Sequence, residues 1–174
     1  MHKTGAVDLR WPGRLHVTLA RINPDPRTSA TISELQDRYR LVRDGNALVT
    51  EAHEAIEAIR SLRDQMKETV DRMDDGQDVA TLKAAQEAAD ADFTAVEEAL
   101  YQTKSKSRQD PLNYPIKLTD KLLGVLSGAN RAEFGPTKGQ REVAAQLSSA
   151  IRVQLERFEV ARGKHVQKFN KLAR

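Results

Sequence analysis

Residues 32–73 read ISELQDRYRLVRDGNALVTEAHEAIEAIRSLRDQMKETVDRM. Large or small apolar side chains recur at Ile32, Leu35, Tyr39, Val42, Val49, Ala52, Ile56, Ile59, Met66, Val70 and Met73. The steps are mostly three and four, which puts these residues on one stripe of an α-helix and makes a heptad-like seam of about six repeats. Thr31 and Glu34 have the spacing of a capping box, in which each satisfies a free backbone donor at the helix start. One helix of about 43 residues runs roughly 65 Å. Its weak point is Asp44-Gly45-Asn46. A glycine in a helix interior costs about 1 kcal/mol relative to alanine, and Asn46 falls on the seam. The expectation is a kink at Gly45, or two helices meeting there end to end. Asp74-Asp75-Gly76 should end the segment, with Gly76 suited to a helix C-terminus.

Beyond it, Asp78 is placed to cap a second helix with the seam Val79, Leu82, Ala85, Ala89, Phe93, Val96 and Leu100. Its many alanines allow a neighbour to approach closely. A polar connector, Lys104-Ser105-Lys106-Ser107-Arg108-Gln109-Asp110-Pro111, follows. Tyr114-Pro115 should open a shorter third helix, with Pro115 at its first position, where the missing N–H costs nothing. Ile116, Leu118, Leu122, Val125 and Leu126 would line it, and Ser127-Gly128 would close it. Gly135-Pro136 punctuates again. Thr137 with Gln140 makes a second capping box. The final helix, about 35 residues long, carries Val143, Leu147, Ile151, Phe158, Ala161, His165, Phe169 and Leu172.

Ahead of the long helix, Leu15–Leu19 alternates apolar and polar-capable residues at period two, the signal of a short strand. It follows the turn cluster Trp11-Pro12-Gly13 and stops at Asn23-Pro24-Asp25-Pro26, whose prolines cannot donate to a ladder. A lone strand is not stable by itself. The expected fold is mainly α: an elongated three- to four-helix up-down bundle over residues 29–174 with coiled-coil-like seams, preceded in 1–28 by a short strand remnant.

The 174 residues carry 28 Lys and Arg against 25 Asp and Glu, a formal charge of +3. That figure hides a division. Residues 29–103 hold 8 basic and 17 acidic side chains, net −9, whereas 104–174 hold 15 and 6, net +9. Opposed helix faces of this kind favour mutual, antiparallel pairing and set register more than stability. A nucleic-acid surface is disfavoured, because Glu133, Glu142, Glu156 and Glu159 interrupt the basic part and aromatic residues are sparse. No apolar stretch approaches the roughly 18 residues of a membrane span. There is no Cys, hence no disulfide and no thiolate chemistry.

Candidate chemistry is scarce. The histidines are His2, His16, His53 and His165. None sits in a His-Glu-x-x-His or Glu-x-x-His pattern, so no metal ligand set is expected. His53 reads as a solvated flank and His165 as a core or boundary residue. No phosphate loop and no Gly-x-Ser-x-Gly elbow occurs. No catalytic, cofactor or metal residue is therefore assigned. The most specific run is Ser107-Arg108-Gln109-Asp110-Pro111-Leu112-Asn113-Tyr114-Pro115-Ile116. Its physical role would be a rigid connector: Asp110 before Pro111, Asn113 as a local side-chain acceptor, and a buried Tyr114 or Arg108 pinning the loop to the long helix.

This run, with Lys117-Leu118 and Lys121-Leu122 after it, resembles the C-terminal helical region of bacterial glycosyl-hydrolase-like proteins bearing β-propellers of BNR or sortilin (VPS10) type. Asp25-Pro26-Arg27 and Pro136-Thr137 fall in the corresponding order, and the resemblance spans roughly residues 15–174. It implies a domain order of propeller, small β-sandwich, then helical tail, with any glycosidase chemistry on the propeller. No catalytic residue can be carried onto these positions. The implied role is a non-catalytic helical domain that braces or docks other protein domains. The alternatives are a stand-alone coiled-coil protein that self-associates, or a subunit completing a separately encoded hydrolase. The partner expected is protein, without nucleic acid or a membrane span.

Overall fold

The computed structural model describes residues 27–73, 77–107 and 109–173. Four helices account for most of them: α1 (Ile32–Asp71), α2 (Gln77–Leu100), α3 (Leu118–Arg131) and α4 (Lys138–Leu172), with one 3-10 turn at Asp110–Leu112. No strand occurs among the described residues. The expected mainly-α bundle is found. The strand signal at Leu15–Leu19 lies outside the described residues, as do Asp74-Asp75-Gly76.

Both capping boxes form. Thr31 accepts from the Glu34 N–H, and the Glu34 carboxylate accepts from the Thr31 N–H at 2.8 Å. Thr137 and Gln140 repeat the exchange at the start of α4. The Thr31 N–H and hydroxyl donors hold the Glu34 carboxyl below its ordinary value. The second helix begins at Gln77, so Asp78 lies within its first turn rather than ahead of it.

α1 runs unbroken for 40 residues, about 60 Å, through Asp44-Gly45-Asn46. Two helices do not meet end to end there; one helix continues through the glycine. Gly45 serves another purpose: a Cβ at this position would lie 2.6 Å from both Cδ atoms of Leu126. The glycine makes room for the α3 side chain, and the helix continues because its neighbours hold it on either side of the weak residue. Asn46, expected on the seam, is exposed.

The cross-section has three helices along most of its length. α2 returns antiparallel along the second half of α1, with Arg60 beside Glu97 and Arg63 beside Asp90. α3 then covers the first half in the same direction, with Leu126 over Gly45 and Arg38 donating to the Ala132 carbonyl. α4 returns parallel to α1 and antiparallel to α2. Residues 51–58 thus line a groove with 152–162, while Asp92 faces His165. The arrangement is up-down-up, with the downward layer made of two helices in series. The splice is tied by the Thr119 hydroxyl, fully buried, which donates to the Leu100 carbonyl at 2.8 Å.

The core follows the predicted seams unevenly. All seven α2 seam residues are buried, Phe93 and Leu82 completely. Along α1 the seam is buried from Val49 to Val70, but its first turns are not: Ile32 is 60% and Tyr39 64% exposed. There the core uses Leu48 and Gly45 instead, a stripe turned toward α3 and α4. α3 starts at Leu118, three residues after Pro115, and passes through Ser127-Gly128 to end at Arg131. Both of its predicted ends are therefore corrected. Ser127 and Gly128 are tolerated mid-helix because Leu122, Leu126 and Ala129 bury the opposite face.

Candidate functional site

The connector between α2 and α3 is the segment the sequence singles out. It leaves the bundle at Tyr101 and returns at Lys117. Its ends are held together by Gln102, a buried residue whose Nε2 donates to the Pro115 carbonyl at 2.8 Å. The Gln102 Oε1 accepts from the Lys104 N–H at 3.3 Å. A compact surface loop with adjoining ends and internal bonds of this kind is an Ω-type loop.

Within it, Asp110 carries the organisation. Its carboxylate accepts from the backbone N–H groups of Lys106 and Ser107 and from the Ser107 hydroxyl, the last at 2.8 Å. Those donors, the Lys106 N–H foremost, hold the Asp110 carboxyl below its ordinary range. Its carbonyl accepts from the N–H groups of Asn113 and Tyr114 at 2.9 and 2.8 Å, closing the 3-10 turn. Pro111 sits in the first turn, where its missing donor is not needed.

Asp110 thus bonds to both sides of the turn, and Asn113, expected as a side-chain acceptor, takes part through its backbone N–H. Pro115 acts through its carbonyl and does not begin the helix. Arg108 lies outside the described residues. The buried Tyr114 anchor is not found: Tyr114 is 38% exposed, Leu112 88% and Ile116 41%. Gln102 and Thr119 do the pinning instead. Neither carries a sequence signal beyond being polar at a helix boundary, so only the fold identifies them. The loop therefore holds Leu112 almost fully exposed, with Tyr114 and Ile116 partly exposed, on a backbone that Asp110 ties together.

Two polar clusters lie along the helix interfaces, each with one buried member, Glu97 or His165. Glu97, almost wholly buried, accepts from Arg60 Nε at 2.8 Å and from Arg63. Arg63 also reaches Asp90 at 2.5 Å and the Thr94 hydroxyl at 2.6 Å. Burial works against the Arg63 charge, but its hydrogen bonds to Glu97 and Asp90 outweigh this and raise its pKa. At the other face of α2, the buried His165 ring contacts Asp92 Oδ2 at 2.6 Å and meets Phe93 edge-on at 6.2 Å. The hydrogen bond from His165, with Lys164 Nζ 3.5 Å away, holds the Asp92 carboxyl below its ordinary value. His165 is buried, as its seam position implied, and His53 is exposed.

These clusters correct the expected charge pairing. Among the described residues, the ion pairs between α1 and α2 all fall inside the acidic segment, at Arg60, Arg63, Asp90 and Glu97. The basic segment meets the acidic one directly at Asp92, through Lys164 and His165. α4 packs on α2 mainly through apolar residues such as Phe158 and Ala161, leaving its charges at the rim.

Chemically, no buried side-chain donor or acceptor among the described residues lacks a partner. No group of three His, Asp or Glu there is placed to hold a metal ion. No helix among the described residues is long and apolar enough to cross a membrane. A solvent-open groove of about 750 Å³ lies between α1 and α4, bordered by Glu51, Glu54, Ala55, Leu155 and Arg162. Comparison of the chain with protein-family models, with curated proteins and with solved structures finds no match.

Proposed function

We propose that this chain is a non-catalytic helical accessory domain that docks or braces another protein domain, with the α2–α3 connector as its contact element. The observation that carries this is Leu112, 88% exposed with Tyr114 and Ile116 beside it on a loop held by Asp110 and Gln102. A pre-ordered apolar loop binds a surface without the entropic cost of ordering itself. The ionisable groups at the helix interfaces support the same conclusion, since Arg63 is paired with Glu97 and His165 with Asp92 as helix clamps. The resemblance of 107–118 to the helical tail of propeller-type glycosyl hydrolases suggests the partner class, a propeller or sandwich domain.

Two measurements test this. The purified chain should not turn over aryl-glycosides or sialosides; turnover that co-purifies with the chain through orthogonal columns overturns the accessory role. A separately purified propeller–sandwich polypeptide should bind the chain, and Leu112→Asp should weaken binding about tenfold or more with an unchanged melting midpoint. Equal binding by Leu112→Asp removes the connector from the interface.

A second reading is self-association. It is favoured by Val153 and Val160, exposed and one heptad apart on the outer face of α4. Sedimentation over a concentration range decides it, since a species that stays monomeric rules it out.

A further inference from the structure

The first three turns of α1 present an apolar stripe that the bundle leaves open. Ile32 and Tyr39 are mostly exposed, and Leu35 and Val42, between and after them, are only half-buried. Their spacing of three, four and three aligns all four on one side of the helix. Arg43 lies over one face of the Tyr39 ring at 5.6 Å, yet Tyr39 keeps most of its surface. The stripe continues the seam that is buried from Val49 onward, where α2 and α4 cover it. At this end α3 and α4 pack on the neighbouring stripe through Leu41, Gly45 and Leu48. A single exposed apolar residue needs no explanation, but four in helical register form a patch that does.

We propose that this stripe is the docking face for residues 15–22 of the same chain. Three observations favour that occupant over others. The stripe lies where the described chain begins: Arg27 is five residues from Ile32, with Pro24 and Pro26 just upstream to redirect the path. The lengths agree as well. From Ile32 to Val42 a helix rises about 15 Å, and the five residues Leu15–Leu19 in extended form span about 17 Å. Finally, the chain outside the described residues comprises 1–26, 74–76, 108 and 174, and of these 1–26 alone has the apolar content. Leu15, Val17 and Leu19 share one side of an extended segment, and Ile22 follows. Covering the stripe this way also satisfies the requirement that a strand without a sheet find a surface to pack on. The connector plays no part, so the proposal stands or falls separately from the accessory role.

Trp11, the one tryptophan of the chain, is the reporter. In the full-length protein its emission should lie to the blue of a hydrated indole, and trypsin should cut slowly after Arg14 and Arg21. The double variant Ile32→Glu/Tyr39→Glu should move the emission to the red and speed those cleavages about tenfold or more. Helicity should be retained, because both substituted side chains already face solvent. Val17→Asp, which leaves the bundle untouched, should give the same two changes, and combining it with the double variant should add nothing further. Emission and cleavage that are the same in wild type and variants overturn the proposal. So does protection of Arg14 and Arg21 that disappears on dilution of the wild-type protein, which assigns the stripe to a second copy.

Discussion

The two halves of α1 meet the same kind of neighbour in different ways. From Leu48 to Val70 the helix packs on α2 through apolar residues such as Ile59, Met66, Leu82 and Phe93, bordered by the charge cluster of Arg60, Arg63, Asp90 and Glu97. From Ile32 to Gly45 it packs on α3 through one close approach, Gly45 against Leu126, with Arg38 reaching the Ala132 carbonyl at the far end. Register in the upper half is set by ion pairs of defined partners. In the lower half it is set by shape, a missing Cβ facing a leucine. Charge and shape are alternative ways to stop one helix sliding along another, and a single helix here uses both.

The largest way to break the contrast is in the upper core. Phe93 is fully buried and its ring centroid lies 6.0 Å from that of Phe158 on α4. Phe93→Ala should cost about 3–5 kcal/mol in urea unfolding, with loss of the upper half before the lower. A cost under 1 kcal/mol would mean that α4 does not close on α2 as described.

Next comes the clamp. Glu97→Ala leaves the partly buried Arg63 with Asp90 as its one remaining carboxylate among its ion pairs described above. Arg60 is half exposed and rehydrates, which discounts the loss. About 1–3 kcal/mol is expected. Glu97→Leu, which also removes the carboxylate but fills the space, should be milder if packing rather than charge carries this half.

The lower half is tested by Gly45→Ala. Helix propensity alone favours alanine by about 1 kcal/mol, so an uncrowded site would be stabilised. Crowding against Leu126 costs about 1–3 kcal/mol and should reverse the sign. Leu126→Val in the same chain should recover part of the loss, giving a coupling energy of about 0.5 kcal/mol or more. A stabilised Gly45→Ala would show that α3 is seated elsewhere.

The smallest effect is with pH. Asp92 and Asp110 both have lowered pKa values in the folded protein, the first by the His165 hydrogen bond and the second by backbone donors. Their stabilisation is fully present above the ordinary carboxyl value of 3.8 and is lost as pH falls through the lowered values. Thermal midpoints should therefore drop below about pH 4. Asp92→Asn should flatten that limb where α2 meets α4 and leave the α3 end unaffected.

How much of this was legible beforehand depends on what each residue reports. The α2 seam was readable to the last position, from Val79 to Leu100, because a helix with helices on one side buries one periodic stripe. Both capping boxes were readable because a cap is a contact within four residues. The course of α1 through Gly45 was not. A glycine in a helical pattern signals either a weak point or a tight contact, and Leu126, 81 positions later, decides which. The connector divided in the same way. Asp110 was legible, since its partners lie at Lys106, Ser107, Asn113 and Tyr114. Tyr114 was expected buried and is 38% exposed, while Gln102 and Thr119 secure the loop through carbonyls no pattern reveals.

The sequence by itself determined the four helices, the capping boxes that open α1 and α4, and the up-down-up order. These depend on periodicity and on contacts within one or two turns. Only the tertiary structure decided which charges pair, why Gly45 is a glycine, and that the first turns of the α1 seam face outward. Those outcomes depend on the rotation of each helix about its own axis relative to its neighbours. That rotation is set by packing among residues distant in the chain, where a shift of one position exchanges a core side chain for an exposed one.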